Sequence, residues 1–106
     1  MPKYLVEACY NAEGAKGIAR DGGSGRHAPA KKAIESLGGK LESFYFAFGD
    51  TDVFAVFDLP DNASAAASSL AVNQTGLLTS KIVVLLTPEE MDAAAKKTVD
   101  FRAPGR

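Results

Sequence analysis

Residues 41–59 read LESFYFAFGDTDVFAVFDL, and this stretch decides the fold. Two apolar runs flank the polar residues Gly49-Asp50-Thr51-Asp52. Phe44, Phe46 and Phe48 alternate along the first run, and Val53, Ala55, Phe57 and Leu59 along the second. Aromatic and β-branched residues at period two, interrupted by Gly and Asp, predict a β-hairpin. Thr51 is poorly suited to positive φ, which favours a four-residue loop over a two-residue turn. That loop pairs Phe48 with Val53, Phe46 with Ala55 and Phe44 with Phe57. Opposed residues share a face, so one face of the hairpin is wholly apolar. The other carries Ser43, Tyr45, Ala47, Phe54, Val56 and Asp58.

Upstream, residues 3–10 predict a strand with Tyr4, Val6, Ala8 and Tyr10 on one face and Leu5, Glu7 and Cys9 on the other. Asn11 is a helix N-cap. Residues 12–21 predict a short helix with Ala12, Ala15, Ile18 and Ala19 inward. The run Asp21-Gly22-Gly23-Ser24-Gly25-Arg26-His27 predicts a break, and Pro29 suits the first turn of a second helix over residues 28–37. Ala30, Ala33, Ile34 and Leu37 form its apolar stripe, and Gly38-Gly39 ends it.

Downstream, Pro60 closes the hairpin and Asp61 caps a helix over residues 62–74, with Ala63, Ala66, Ala67, Leu70 and Ala71 as the expected buried stripe. Gly76 ends it. Residues 77–86 predict a last strand, with Ile82, Val84 and Leu86 on one face and Lys81, Val83 and Leu85 on the other. Thr87-Pro88-Glu89-Glu90 is a capping box with Pro at the first helical position. The helix it opens is expected to reach about Lys97, with Met91, Ala94 and Ala95 inward. The order is βαββαβ with an extra C-terminal helix, an α+β, ferredoxin-like arrangement with an antiparallel sheet. Residues 1–97 are expected to form one domain, and residues 98–106 an irregular tail.

Composition narrows the function classes. Apolar content (46%) and charged content (24%) are ordinary for a globular chain, and the net charge of −1 gives no reason to expect nucleic acid as a partner. No apolar run approaches the about 20 residues of a membrane span, so no membrane partner is expected. Met-Pro-Lys-Tyr has no signal-peptide pattern, from which a cytoplasmic location is expected. Cys9 is the single cysteine and is expected to be an inert core thiol.

One face of the sheet collects Leu5, Cys9, Tyr45, Phe54, Val56, Val83 and Leu85. A solvated antiparallel sheet normally turns a polar face to water, and this one is too apolar. A second copy of the sheet is the simplest cover, so a homodimer or higher even oligomer with sheets packed face to face is expected.

The opening KYLVEACYNAEGAKGI (residues 3–18), the stretch ESLGGKLESFYFAFGDTDVFAVFDLPD (35–61) and VVLLTPEEM (83–91) resemble the GYD-domain family, small bacterial proteins of the dimeric α/β-barrel architecture. The family's Gly-x-Tyr-Asp signature reads Gly49-Asp50-Thr51-Asp52 here, with Thr51 in place of the usual Tyr. The resemblance implies a ferredoxin-like subunit and a barrel-forming dimer, but no particular activity. Relatives by fold include haem-degrading and cofactor-free monooxygenases, lactone isomerases and ligand-sensing domains, and fold does not choose among them.

Candidate site residues follow from the faces. A small apolar or amphipathic molecule bound between two sheets would meet Leu5, Glu7, Cys9, Ser43, Tyr45, Phe54, Val56, Asp58, Lys81 and Val83. Glu7, a carboxylate among apolar neighbours, is the candidate acid or base; the plainer reading pairs it with Lys81. Tyr45, with Ser43 or Asp58, is a candidate ligand donor, or simply an interface tyrosine. His27 is a candidate base or haem ligand, or an exposed histidine. The glycine-rich run 22–26 is an anion cradle, a lid or a plain loop, and it lacks the spacing of the nucleotide motifs. Asp50 and Asp52 cap the turn or hold a cation; no metal site and no resident cofactor are expected, with haem the exception to test. The functions in play are small-molecule binding, a cofactor-independent or haem-dependent monooxygenase- or isomerase-like enzyme, and a purely structural dimer with a filled barrel.

Overall fold

The computed structural model describes all 106 residues. Its strands are β1 (Lys3–Tyr10), β2 (Lys40–Phe46), β3 (Val53–Asp58) and β4 (Leu78–Leu85). Its helices are α1 (Ala12–Ser36), α2 (Asn62–Asn73) and α3 (Pro88–Ala95). The strands form one antiparallel sheet in the order β2-β3-β1-β4. This is an α+β, ferredoxin-like architecture, with α1 and α2 against one face of the sheet.

The faces follow from the register. Tyr4 opposes Phe57 and Val84, Val6 opposes Ala55 and Ile82, and Ala8 opposes Val53 and Ser80, all toward the helices. Tyr4, Phe57, Leu59, Ile34 and Ala65 make the buried cluster, with Val6, Leu37, Leu41 and Ile82 packed around it. Tyr4 and Phe57 meet edge to face, with centroids 6.0 Å apart and rings at 88°, a geometry that adds roughly 0.5–1.5 kcal/mol beyond burial. The Tyr4 hydroxyl donates to Asn62 Oδ1 at 2.7 Å, so the buried phenol is satisfied.

The hairpin has the predicted parity but a register displaced by two residues. Phe46 faces Val53, Phe44 faces Ala55 and Leu41 faces Phe57. Phe48 is fully exposed in a connection over residues 47–52, closed by Ala47 N–H donating to Asp52 O at 2.8 Å. Asp52 explains the longer loop. Its N–H donates to Ala8 O and its carboxylate accepts from Tyr10 N–H, both at 2.9 Å, so β1 holds it and strand pairing begins only at Val53. A bulge between Leu41 and Ser43 keeps Leu41 and Phe44 on the helix face despite their odd spacing. It also frees Glu42 to reach Lys3.

The two helices expected before β2 are two helical segments of α1 that meet at a break at Gly22; the second begins at residue 23, not 28. Asn11 caps it, its side chain accepting from Gly14 N–H at 2.9 Å. Gly22 alone leaves helical geometry (φ 76°, ψ 169°), in a region that only glycine enters cheaply, and the chain resumes the helix at once. The break falls at Gly22 alone, and the rest of the glycine run is helical and not a loop. Pro29 lies inside the helix, not at a new start. Of the expected inward positions Ile34 is buried and Ile18, Ala30 and Leu37 are half-buried, whereas Ala12, Ala15, Ala19 and Ala33 are largely exposed; Gly14, not expected inward, is buried. Gly14 is fixed by close approach, since a Cβ there would lie 2.2 Å from Leu77 O.

Helix α2 has the predicted cap, Asp61 accepting from Ser64 N–H at 2.8 Å, but a rotated face. Ala65, Ser68, Ser69 and Val72 turn inward, while Ala63, Ala66, Ala67, Leu70 and Ala71 are exposed. Alanine occurs on every side of this helix, so its spacing carries little information, and branched Val72 is packed in preference to Leu70. Helix α3 has the predicted Thr87/Glu90 capping box, yet Met91, Ala94 and Ala95 are exposed. From Leu86 to Arg106 only Ala103 is even half-buried.

Only nine of 106 residues are buried in the single subunit. Its radius of gyration is 16.9 Å, against roughly 13 Å for a compact chain of this length. Its accessible surface is 7520 Å², where a folded monomer of this mass exposes roughly 5,700 Å². No helix is long and apolar enough to cross a membrane.

Candidate functional site

The face of the sheet away from the helices is built from the alternate residues. Across it, Ser43, Val56, Leu5 and Val83 form one row. Tyr45, Phe54, Glu7 and Lys81 form the next. Parity thus brings Glu7, Tyr45 and Ser43 to one face, as the sequence predicts. Glu7 is half-buried and directly opposite Lys81, but no ion pair joins them. Tyr45 is exposed beside Phe54. Asp58 is occupied: Lys3 Nζ donates to it at 2.8 Å and also pairs with Glu42. The hydrogen bond to Asp58, then that to Glu42, raises the Lys3 pKa above the ordinary lysine value.

Cys9 also lies on this open face, half-buried, not in the core beneath the helices. Its thiol donates to Asp50 O at 3.0 Å, tying the hairpin loop to β1. A shallow polar groove runs past Glu7 between Cys9, Asp50, Thr51, Thr79 and Lys81. His27 is elsewhere. It sits on α1, its ring 5.4 Å from that of Phe44, whose side chain is on the helix face. The sheet therefore separates His27 from Glu7 and Tyr45 within one subunit.

An apolar cleft of about 210 Å³ lies on the helix side, between the sheet, α1 and α2. None of the ten residues expected to meet a ligand between sheets lines it. Its floor includes Val6, Ala8, Tyr10, Phe44, Val53 and Ala55, and its roof Pro29, Ala30, Ala33, Ser68, Ser69 and Val72. Alanines cause it. Ala8 and Ala55 sit where longer side chains would fill the space under the helices, and Ala30 and Ala33 face them without reaching across.

Five residues bring polar atoms to this cleft. Ser68 Oγ donates to Ala65 O at 2.7 Å, Ser80 Oγ donates to Asn73 Oδ1 at 3.2 Å, and Ser69 Oγ accepts from Asn73 Nδ2 at 3.3 Å. The other two are the Tyr10 hydroxyl and the Arg26 guanidinium, and neither has a side-chain hydrogen bond or ion pair within the protein. Burial pushes the Tyr10 phenol above its ordinary pKa, Arg26 pulls it the other way, and the charge of Asp52 adds to the upward push. Tyr10 is therefore a protonated donor at neutral pH. Residue-by-residue motif reading missed this pair, since Arg26 falls within the glycine run read as a break. The available signal was Tyr10 at an inward strand position among inward alanines.

A four-stranded antiparallel sheet, crossed on one side by two helices with an apolar cleft beneath them, defines an α+β subunit of the ferredoxin-like class. The GYD-domain family model matches residues 4–95, and the chain belongs to that family. No protein of curated function and no solved structure matches it.

Proposed function

We propose that this protein is a homodimeric small-molecule-binding protein, with two sheets paired through their open faces and each subunit holding a small apolar or amphipathic molecule in its helix-side cleft. The observation that carries the binding reading is the cleft itself: an apolar space of about 210 Å³ inside one subunit, reached by an unpartnered tyrosine hydroxyl. A buried apolar cavity of about 150 Å³ accepts benzene, and drug-sized pockets begin near about 300 Å³, so a single ring or short chain fits. The ligand is accordingly put on the helix side of the sheet, not between the two sheets as the sequence alone had suggested.

Pairing is supported by surface area. The single chain exposes roughly 1,800 Å² more than a monomer of its mass should, and a standard interface buries about 800 Å² per partner. Leu5, Phe54, Val56 and Val83 supply an apolar centre for such an interface. The exposed apolar residues of the C-terminal arm, Leu86, Met91, Val99 and Phe101, account for further uncovered surface.

Native mass spectrometry with backbone-amide NMR tests both parts. The expected result is a dimer mass, with 2-phenylethanol shifting the amides of Ala8, Ala30 and Ala55. A monomer mass under conditions that preserve weak dimers overturns the pairing. A dimer whose cleft amides ignore the neutral probe overturns the cleft as the binding site.

A further inference from the structure

We propose that the cleft selects an anion: a carboxylate on a small apolar body, received at the mouth by Arg26 and Tyr10. This rests on the reading of the cleft as the binding site and specifies what enters it.

Arg26 is the only charged residue lining the cleft, and no acidic residue lines it. Its guanidinium is charged at every relevant pH. It is half-buried, on α1 past the Gly22 kink, and makes no ion pair. The carboxylates of Asp52 and Asp21 make their bonds with other groups. Asp52 accepts from Tyr10 N–H at 2.9 Å, and Asp21 lies 3.7 Å from Arg20 Nε. A partly desolvated cation beside an apolar cavity gains when an anion arrives.

The geometry favours a carboxylate over a neutral polar group. A guanidinium presents parallel N–H donors that match two carboxylate oxygens, and charge-assisted bonds of this kind are about twice as strong as neutral ones. The Tyr10 phenol, held protonated by burial, adds a donor and removes none. A body of one ring or a short chain would then lie over Ala8 and Ala55, beneath Ala30 and Ala33. The three serines at the cleft do not compete for the ligand, because their hydroxyls already have protein partners.

Calorimetric titration of the full-length protein with phenylacetate and 2-phenylethanol, near-isosteres that differ in charge, tests the inference. The wild type is expected to bind phenylacetate at least about tenfold more tightly than the alcohol. Arg26→Gln should bring the affinity for phenylacetate down to about that for the alcohol, with an unchanged circular dichroism spectrum showing that the variant is folded. Arg26→Lys should keep part of the preference, because it keeps the charge but loses the fork. Equal affinities in the wild type, or a preference that survives Arg26→Gln, overturn the anion inference while the cleft stands. If neither probe binds, the cleft reading fails and takes this inference with it.

Discussion

On one side of the sheet Tyr4, Val53, Ala55 and Phe57 are buried beneath α1 and α2; on the other side Leu5, Phe54 and Val56, one residue along the same strands, face outward. Both sets are apolar, and both come from the same period-two alternation. Their difference lies in what covers them. The helix side is covered by this chain, yet its alanines leave a space. The open side is covered by nothing in the chain, and the groove it does carry, past Glu7 and Lys81, is lined by polar side chains. The lesson is that an apolar face and a binding cavity are separate properties: area drives association, and missing volume makes a site.

The sharpest way to break this contrast is to charge the open face. Leu5→Glu puts a carboxylate at the centre of the proposed interface, once from each copy. Burying an unpaired charge costs about 3–5 kcal/mol, so dimer affinity should fall by at least about a hundredfold. Sedimentation velocity should find a monomer, with circular dichroism unchanged. A variant that sediments like the wild type would show that the open face is not the contact.

On the helix side the comparable change is Phe57→Ala. Phe57 is buried against Tyr4, and its truncation should destabilise the subunit by about 3–5 kcal/mol in urea denaturation. Unlike Leu5→Glu, it should lower the unfolding midpoint at every protein concentration. The contrast sharpens further with Ala55→Leu, which fills the cleft from its floor. Because the space is already empty, the stability cost should stay below about 1 kcal/mol, while binding of 2-phenylethanol falls at least about tenfold and the dimer persists. A variant that still binds would move the site out of the cleft.

Much of this architecture was legible in the chain, for identifiable reasons. Period-two alternation placed all four strands, and Asn11, Asp61 and Thr87 marked three helix starts because each side chain satisfies an otherwise orphan N–H. Alternation fixes parity but not register, so it sorted Tyr45, Glu7 and Phe54 onto one face and still misplaced Phe48. Register was set by Asp52, whose bonds to β1 no local pattern announces. The inward face of α2 was illegible because alanine and serine surround the helix. The glycine run announced the break but not its length, because one residue, Gly22, takes all the distortion. The cleft is defined by atoms that are missing over Ala8 and Ala55, and Arg26 stands out only because no acidic residue lines the cleft with it. Neither kind of absence is a motif.

The smallest expected effect concerns how α2, part of the cleft's roof, is anchored. The backbone N–H of Ser64 donates to the Asp61 carboxylate at 2.8 Å, and this bond holds the Asp61 pKa below the ordinary aspartate value. The charged form is therefore favoured in the fold. Its contribution is complete above the unfolded value of about 3.9 and is lost as pH falls through the lower folded value. Asp61→Asn keeps an acceptor for Ser64 N–H and is itself a good N-cap, but it does not titrate. Urea midpoints measured from about pH 5 to about pH 2 should converge: the wild type loses more stability than Asp61→Asn over that window. Below it, the protonated aspartate no longer outperforms the amide. Parallel curves would mean that the Asp61 charge plays no part in holding α2 over the cleft, and that the roof is kept in place by the packing of Ala65 and Val72 alone.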